Sequence, residues 1–353
     1  MLERNRMCDF LRFLCALLIM AFHLSLLGAE EGYPFSEAWI FVEFFFLLSG
    51  YYTARHFAGT PEIPPEAYAR ESVRYTLKKM QRTMWYAVPC ILAAYVLEAF
   101  VIVADHGSPG EVLGLLTNLP FELLQLTAAG IGTPHDGTTW YISAIALLTP
   151  LLSYLLLRCR DFFTNILCWL LPIVCIGRWV TFGQSTSGIA ALLRGFVWMS
   201  LGVLSFRFGA LLQSVSFPRA KRALLTILEV LCFTLCILLT YWNIRYYRTI
   251  YLAIFTGSTL MLSMCSDTAA LRWKGFSFLG ELSLPMFLSH WVVGRAIRCL
   301  AAVMSRFHTP FPMYIRVLLY YALTILFSTV MDVCVRQVHR KRKPADIPQK
   351  QPL

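Results

Sequence analysis

Three ionisable residues, Arg12, His23 and Glu43, lie in apolar stretches that are long enough to cross a bilayer. Residues 8–28 read CDFLRFLCALLIMAFHLSLLG, and Glu43 follows within AWIFVEFFFLLSGYYTARH. Ionisable groups are costly in hydrocarbon, so they commonly mark a pathway or a reaction site. A carboxylate beside a histidine fixes the imidazole tautomer and raises its basicity, as a general base requires. We therefore predict that His23 is a catalytic base and Glu43 its partner.

Helical geometry places Arg12 and His23 on one face of the first helix. At about 100° per residue their spacing is within about 20° of three full turns, and it separates them by about 16 Å along the axis. Glu43 enters the second helix at the depth of His23, because that helix runs in the opposite direction. In the alternative interpretation Arg12 snorkels to lipid phosphates, and His23 and Glu43 form a packing hydrogen bond. A signal peptide is a further interpretation, but Asp9 and Arg12 interrupt the apolar run.

The composition predicts an all-α, polytopic membrane protein. Of the 353 residues, 58% are hydrophobic and 14% are charged, which is more apolar surface than a soluble core of this size could bury. A spanning helix needs about 20 apolar residues. We predict ten such helices, near residues 8–28, 38–57, 83–104, 138–157, 162–181, 188–208, 223–242, 249–266, 277–299 and 313–335.

The basic residues orient these helices. The net charge is +11, and most of the charge lies in short connections rather than in a stripe with interleaved aromatic residues. This pattern argues against nucleic-acid binding and follows the positive-inside rule, which places both termini in the cytoplasm. The basic clusters lie at residues 4–6, 70–82, 158–160, 207–222, 272–274 and 339–343.

Three segments are predicted to lie outside the spans. Residues 105–137 are apolar but broken by proline and glycine, which indicates a re-entrant or interfacial hairpin at the outer face. Residues 58–82 are predicted to form an amphipathic cytoplasmic helix. The membrane domain then covers residues 1–337, and residues 338–353 form a basic, disordered cytoplasmic tail. The cysteines have no spacing typical of zinc sites or disulfide frameworks, so we predict no metal.

Further polar and aromatic residues lie near the predicted outer surface. Trp140, Tyr141 and Ser143 open the fourth span and could line a sugar site, although such aromatic residues also form ordinary interfacial belts. Arg194 either snorkels or holds an anionic group of a substrate. His290, in the ninth span, belongs either to packing or to a pathway.

Five sequence elements, in order, resemble the acyltransferase 3 family of integral membrane acyltransferases. They are an arginine followed after ten residues by a histidine, VEFFFLLSGYY, a basic run before the third span, TWYISAIALL, and LSLPMFLSHW. Together they extend over nearly the whole chain. Because the chain ends soon after the last span, we expect a stand-alone membrane domain without an appended soluble domain.

The resemblance implies transfer of an acyl group, commonly acetyl, from cytoplasmic acyl-CoA to a sugar hydroxyl at the other membrane face. It gives His23 the role of catalytic histidine and Glu43 that of its acidic partner, and it places Arg12 near the donor. Acyl-CoA is expected as donor substrate, with no tightly bound cofactor. The family's arginine-rich element, implied to hold CoA phosphates, matches Lys78, Lys79 and Arg82, although lysines replace two arginines and the following proline comes later than usual.

The sequence leaves two questions open, namely the mechanism of acyl transfer and whether the protein is an enzyme or a transporter. The acyl group passes to the acceptor either directly, with Trp140, Tyr141 and Ser143 positioning the acceptor, or through an acyl-histidine intermediate. The alternative function is a transporter or flippase for a sugar-containing or lipid-linked substrate, whose ionisable residues would line a pathway. In both cases the expected location is the cell membrane, with several spans. The oligomeric state and the identity of the acceptor are not predicted.

Overall fold

The computed structural model describes residues 6–29, 32–60, 63–182, 188–214, 218–242, 273–309 and 311–342. Within these ranges the chain is almost wholly helical and contains no β-strand, which confirms the predicted all-α fold. The helices are α1 Arg6–Phe22, α2 Phe41–Ala58, α3 Tyr68–Ala104, α4 Pro109–Leu123, α5 Thr139–Arg158, α6 Cys168–Phe182, α7 Ile189–Ser214, α8 Arg219–Tyr241, α9 Gly275–Arg306 and α10 Met313–Arg342.

The described part of the chain contains 8 helical stretches that are long and apolar enough to cross a membrane. They coincide with predicted spans, and the protein is therefore a multi-pass membrane protein. Helix α2 lies at the predicted second span but is more polar, since it carries Glu43, Arg55 and His56. Most of α2 is buried among other helices, and Glu43 is buried with it, so this carboxylate avoids lipid. The predicted span at 249–266 lies outside the described residues.

Helix α3 corrects one predicted boundary. We expected an amphipathic helix over residues 58–82 and a separate span over residues 83–104, but α3 runs unbroken from Tyr68 to Ala104. No glycine occurs in this stretch, and Pro89 does not end the helix. The basic residues near its start are thus rigidly joined to the third span. At the other end of the chain, α10 continues to Arg342, and the remainder of the predicted tail lies outside the described residues.

Two helix pairs form the centre of the bundle, α1 along α9 and α2 against α7. Gly50 of α2 and Gly202 of α7 lie where these two helices cross, and a Cβ at either position would overlap the backbone of the other helix. A Cβ at Gly280 of α9 would likewise overlap Asp9 of α1. Small residues at such crossings let membrane helices approach closely, which fixes the relative positions of the side chains that they carry.

The predicted hairpin at residues 105–137 consists of α4 and an irregular return, residues 124–138, which we call the connecting segment. A capping box between Ser108 and Glu111 begins α4. At its other end Glu122 is fully buried, and its carboxylate accepts hydrogen bonds from His135 N at 3.0 Å, Asp136 N at 3.1 Å and Thr139 Oγ1 at 2.8 Å. Glu122 thereby fixes the connecting segment over the start of α5.

Candidate functional site

His23 lies where α1 ends and a 3₁₀ turn, His23–Leu27, begins. The predicted helix over residues 8–28 is therefore α-helical only as far as Phe22. The turn closes at Gly28, whose φ of 89° is a conformation that glycine adopts readily. His23 is partly exposed at this helix end, unlike the residues of α1 that are buried in the bundle. We call this end of the bundle, where α1 ends and α2, α5 and α7 begin, the His23 end.

Three aromatic rings surround the His23 imidazole. The ring centroid of His23 is 4.6 Å from that of Phe22, 5.0 Å from that of His290 and 5.2 Å from that of Trp291. His290 and Trp291 are neighbours on α9, which packs along α1. The indole nitrogen of Trp291 donates a hydrogen bond to His135 O at 3.0 Å. The histidine site is thereby joined to the connecting segment.

A line of rings leads from His23 toward Arg12. The ring of His290 lies 5.9 Å from that of Phe287, and Phe287 lies 5.2 Å from Tyr141. Arg12 Nη1 lies 3.5 Å from Asp9 Oδ1 in an i, i+3 ion pair. Arg12 and His23 thus lie at different depths along α1.

Glu43 has a different partner from the one we predicted. We expected its carboxylate beside His23, but it forms an ion pair with Arg194 of α7, and both side chains are almost fully buried. The pairing follows from the packing, because α2 lies against α7 whereas α1 lies along α9. A guanidinium also neutralises a buried carboxylate, which a neutral imidazole does not. The arrangement corrects the predicted pairing of His23 with Glu43.

The guanidinium of Arg194 lies between two indole rings at the His23 end. Its central carbon is 4.8 Å from the ring centroid of Trp39 and 5.1 Å from that of Trp140. Cation–π contacts of this kind strengthen when water is excluded. Arg194 therefore does not snorkel to the membrane surface. It is held inside the protein by Glu43 and by the two indoles.

Ser143 and Tyr141, predicted together as acceptor-site residues, have separate surroundings. Ser143 is fully buried, donates its hydroxyl hydrogen to Gln125 O at 2.6 Å and accepts from Ala128 N at 2.9 Å. Both contacts are to backbone of the connecting segment, so the hydroxyl holds that segment and does not point to a substrate. Tyr141 is half-buried and packs against Phe46 with ring centroids 4.7 Å apart.

The predicted basic element on α3 divides between surface and interior. Lys78 and Arg82 are exposed. Lys79 points inward, and its Nζ donates a hydrogen bond to Ser49 Oγ of α2. Of these three residues, Lys78 and Arg82 present accessible charges, while Lys79 connects α3 to α2.

The connecting segment holds a titratable carboxyl group outside the membrane-spanning helices. Asp136 is fully buried, and its Oδ1 accepts hydrogen bonds from Thr138 N at 3.0 Å and from Thr138 Oγ1 at 2.7 Å. The pKa of Asp136 is raised to about 7, chiefly because the group is buried; the two hydrogen bonds from Thr138 oppose this rise, and the nearby Glu122 adds to it. The charge of this group therefore changes near neutral pH.

Three residues of the site were not predicted from the sequence, namely Trp39, Trp291 and Glu122. A signal existed for Glu122, because a carboxylate in an apolar segment carries the same cost as Glu43. The sequence contains no such signal for Trp39 and Trp291, since interfacial belts also contain tryptophans near the ends of spans. Among the described residues, no group of three or more His, Cys, Asp or Glu side chains is placed to hold a metal ion.

Comparison with known proteins agrees with this architecture. The sequence model of one family, described as an acyltransferase domain, matches residues 8–333 and so covers nearly the whole chain. The matched range runs from α1 into α10 and includes every residue of the site at the His23 end. No curated protein and no solved structure matches the chain.

Proposed function

The chain belongs to the acyltransferase 3 family, and we propose that it moves an acyl group, expected to be acetyl, from cytoplasmic acyl-CoA to a carbohydrate hydroxyl at the outer face of the cell membrane. One observation carries this proposal. A partly exposed histidine lies among aromatic rings at one end of α1, and a partly exposed arginine lies nearer the other end of the same helix. An acyl transfer across a bilayer needs a base near one face and donor contacts near the other.

His23 acts as the general base in this proposal. Its free ring nitrogen takes the proton of the acceptor hydroxyl while the hydroxyl oxygen attacks the carbonyl carbon of the thioester. The C–O bond forms, the C–S bond breaks, and the proton passes from His23 to the departing CoA thiolate. The products are an ester and free CoA, and His23 returns to its neutral form. Direct transfer requires no covalent enzyme intermediate.

The donor enters from the end of the bundle that carries Arg12. The side chain of Arg12 is partly exposed, with 27% of its surface accessible. Its ion pair with Asp9 is loose, with 3.5 Å between Nη1 and Oδ1. The exposed Lys78 and Arg82 on α3 supply further positive charge for the phosphates of CoA. Lys79 contributes less directly, through its hydrogen bond to Ser49. The pantetheine arm then runs along the ring line that includes Tyr141.

The acceptor lies at the His23 end. Trp140 and Tyr141 offer half-buried aromatic faces on which a sugar ring packs. Arg194 and Glu43 support this wall from behind, because the guanidinium lies against the Trp140 ring. Glu43 therefore contributes to catalysis indirectly, by holding in place the aromatic residues against which the acceptor packs, and not by contact with His23.

The test is transfer of label by the purified protein. Radiolabelled acetyl-CoA is incubated with the protein in detergent and with carbohydrate extracted from the envelope of the producing cells. We expect label in the carbohydrate with the wild type and a loss of about 10²-fold to 10⁴-fold in His23→Gln, the range for removing a general base. The matched control is His106→Asn, at an exposed position with φ of 60° that asparagine tolerates. Equal labelling by wild type and His23→Gln would contradict the proposal.

A further inference from the structure

His290 is a fully buried histidine that lies directly behind His23. Its accessible fraction is 0%, whereas His23 is half-buried, and the two ring centroids are 5.0 Å apart with an interplanar angle of 34°. The two rings come from different helices, α9 and the end of α1. Since His290 has no access to solvent or lipid, it cannot itself receive a substrate. Any part that it has in the reaction must act through the ring in front of it.

The backbone determines which nitrogen of His290 carries the proton. Its Nδ1 lies 3.3 Å from Met286 O, one turn earlier on α9. A carbonyl oxygen only accepts hydrogen bonds, so Nδ1 is the protonated nitrogen of the neutral ring. The other nitrogen, Nε2, is then a bare acceptor. It is buried and has no hydrogen-bond partner among the residues that the structure describes.

Packing alone does not account for a histidine at this position. Its neighbours already fix α9, because Ser289 Oγ lies 3.0 Å from Ser328 Oγ of α10, and a Cβ at Gly294 would lie 3.1 Å from Leu26 Cδ1, closer than ordinary van der Waals contact. A buried acceptor without a partner destabilises the fold, and an apolar side chain of similar size would avoid that loss. The buried nitrogen therefore indicates a ligand or a catalytic partner that uses it.

We propose that His290 is the positioning residue for His23. Its Nε2 accepts a hydrogen bond from one water molecule, which in turn accepts a hydrogen bond from the ring N–H of His23. This bond fixes the tautomer of His23 and leaves the opposite ring nitrogen as the base that faces the acceptor hydroxyl. His290 thus takes the place that a carboxylate holds beside many catalytic histidines, while Glu43 is engaged by Arg194. The inference rests on the proposed function, because it assumes that His23 is the base.

The test compares two substitutions at one position. His290→Gln retains a hydrogen-bond acceptor near the position of Nε2, and His290→Met fills a similar volume without a comparable acceptor. Apparent kcat and KM for acetyl-CoA are measured at saturating envelope carbohydrate. We expect His290→Met to lower kcat by about 10-fold to 100-fold with KM unchanged, as for other residues that orient a catalytic group. His290→Gln is expected to recover at least a third of that loss on a logarithmic scale.

Two controls separate positioning from packing. Ser289→Ala removes the neighbouring contact to α10 and is expected to leave kcat within about twofold of the wild type. The double variant His23→Gln with His290→Met is expected to be no slower than His23→Gln alone, because the two rings act as one unit.

Each outcome bears on one of the two claims. A wild-type kcat in His290→Met, or equal losses in the Met and Gln variants, would overturn the role of His290 and leave the acyltransferase proposal standing. Multiplying losses in the double variant would overturn it as well. If the wild type and His23→Gln label the carbohydrate equally, the proposed function fails, and the inference about His290 fails with it.

Discussion

Glu43 and Arg194 form the most deeply buried ion pair of the described chain, with side-chain exposures of 1% and 2%. Such a pair adds little net stability, since the attraction barely offsets the loss of hydration. Its significance lies in its position, because it joins α2 to α7 and holds the guanidinium against Trp39 and Trp140. The pair thus connects the helix core to the aromatic wall at the His23 end.

Removing one partner of this pair is expected to destabilise the protein far more than removing both. Glu43→Gln or Arg194→Met removes one side of this ion pair and leaves a buried charge on the other, and each should lower the free energy of unfolding by about 3–5 kcal/mol. The double variant should be destabilised less than either single variant. The measurement is the melting temperature of detergent-solubilised protein. A double variant whose loss equals the sum of the single losses would show that the two charges do not interact.

Sequence spacing predicts contacts within one helix but not contacts between helices. Asp9 and Arg12 form an ion pair at i, i+3, a contact that spacing along one helix can encode. Glu43 was correctly recognised as a group that needs a partner, but its depth alone did not identify the partner. Arg194 follows 151 positions later and on another helix. Only the helix neighbours decide such a contact, and no local pattern encodes them.

At the scale of helices, the crossing of α2 and α7 fixes the site. Both Glu43 and Arg194 belong to these helices, and the crossing depends on glycine. A Cβ at Gly202 would overlap Leu47 O and lie 2.8 Å from Tyr51 N, and backbone atoms of a packed helix cannot move aside. The separation of α2 and α7 is therefore set by two positions, Gly50 and Gly202.

Gly202→Ala is expected to destabilise the protein by about 1–3 kcal/mol or more, as overpacked substitutions do. It should also lower transfer activity, because α7 carries Arg194. The matched control is Gly177→Ala on α6, where a Cβ meets nothing within 4 Å. The control is expected to melt at or above the wild-type temperature, since alanine favours a helix. Comparable melting temperatures for the two variants would contradict the proposed role of the crossing.

The stability of the connecting segment is expected to depend on pH. The pKa of Asp136 is raised by burial to about 7 in the folded protein, whereas an unperturbed aspartate has a pKa of about 3.9. The unfolded segment therefore binds fewer protons than the folded one between these values. Its stability is full below about pH 4, falls as the pH rises through the interval and levels off above the folded pKa.

Hydrogen exchange of residues 130–138, corrected for the intrinsic rate, should report this dependence. We expect protection to be higher at pH 5 than at pH 8 in the wild type. Asp136→Asn keeps an acceptor oxygen for Thr138 but cannot ionise, so its protection should not depend on pH in this range. A pH dependence of equal size in Asp136→Asn would assign the effect to another group.

Helix boundaries were less predictable than helix existence. The basic residues after Tyr68 suggested a break before the third span, but a charged helix can continue into lipid without any change in its backbone. The end of α1 at Phe22 had no clear signal either, because the sequence stays apolar as far as Gly28. Hydropathy locates apolar length, whereas the ends of helices depend on turns and on packing.

The whole molecule is a helical bundle with different chemistry at its two ends. The His23 end collects aromatic rings, histidines and the buried pair of Glu43 and Arg194, while the opposite end carries Arg12 and the exposed charges of α3. The sequence predicted this architecture well, because a membrane helix satisfies its own backbone and shows its length directly in the apolar pattern. It could not predict which helices are neighbours, and the site depends on those neighbours.

The proposed orientation makes a prediction about the two faces. A cysteine introduced at Thr133 of the connecting segment, which is exposed, should react with a membrane-impermeant maleimide in intact cells. A cysteine introduced at Arg70, exposed near the start of α3, should react only after lysis. Labelling of the parent protein provides the background. The reverse pattern would put His23 at the cytoplasmic face and contradict transfer to an outer acceptor.

The most direct measurement follows the acyl group from CoA on one side of the membrane to carbohydrate on the other. Inside-out membrane vesicles, with the acceptor carbohydrate sealed within, receive radiolabelled acetyl-CoA in the medium, and the label bound to carbohydrate is counted. We expect label inside vesicles that carry the wild type and a loss of at least about 10²-fold with His23→Gln. Label at the wild-type level in His23→Gln vesicles would contradict this expectation.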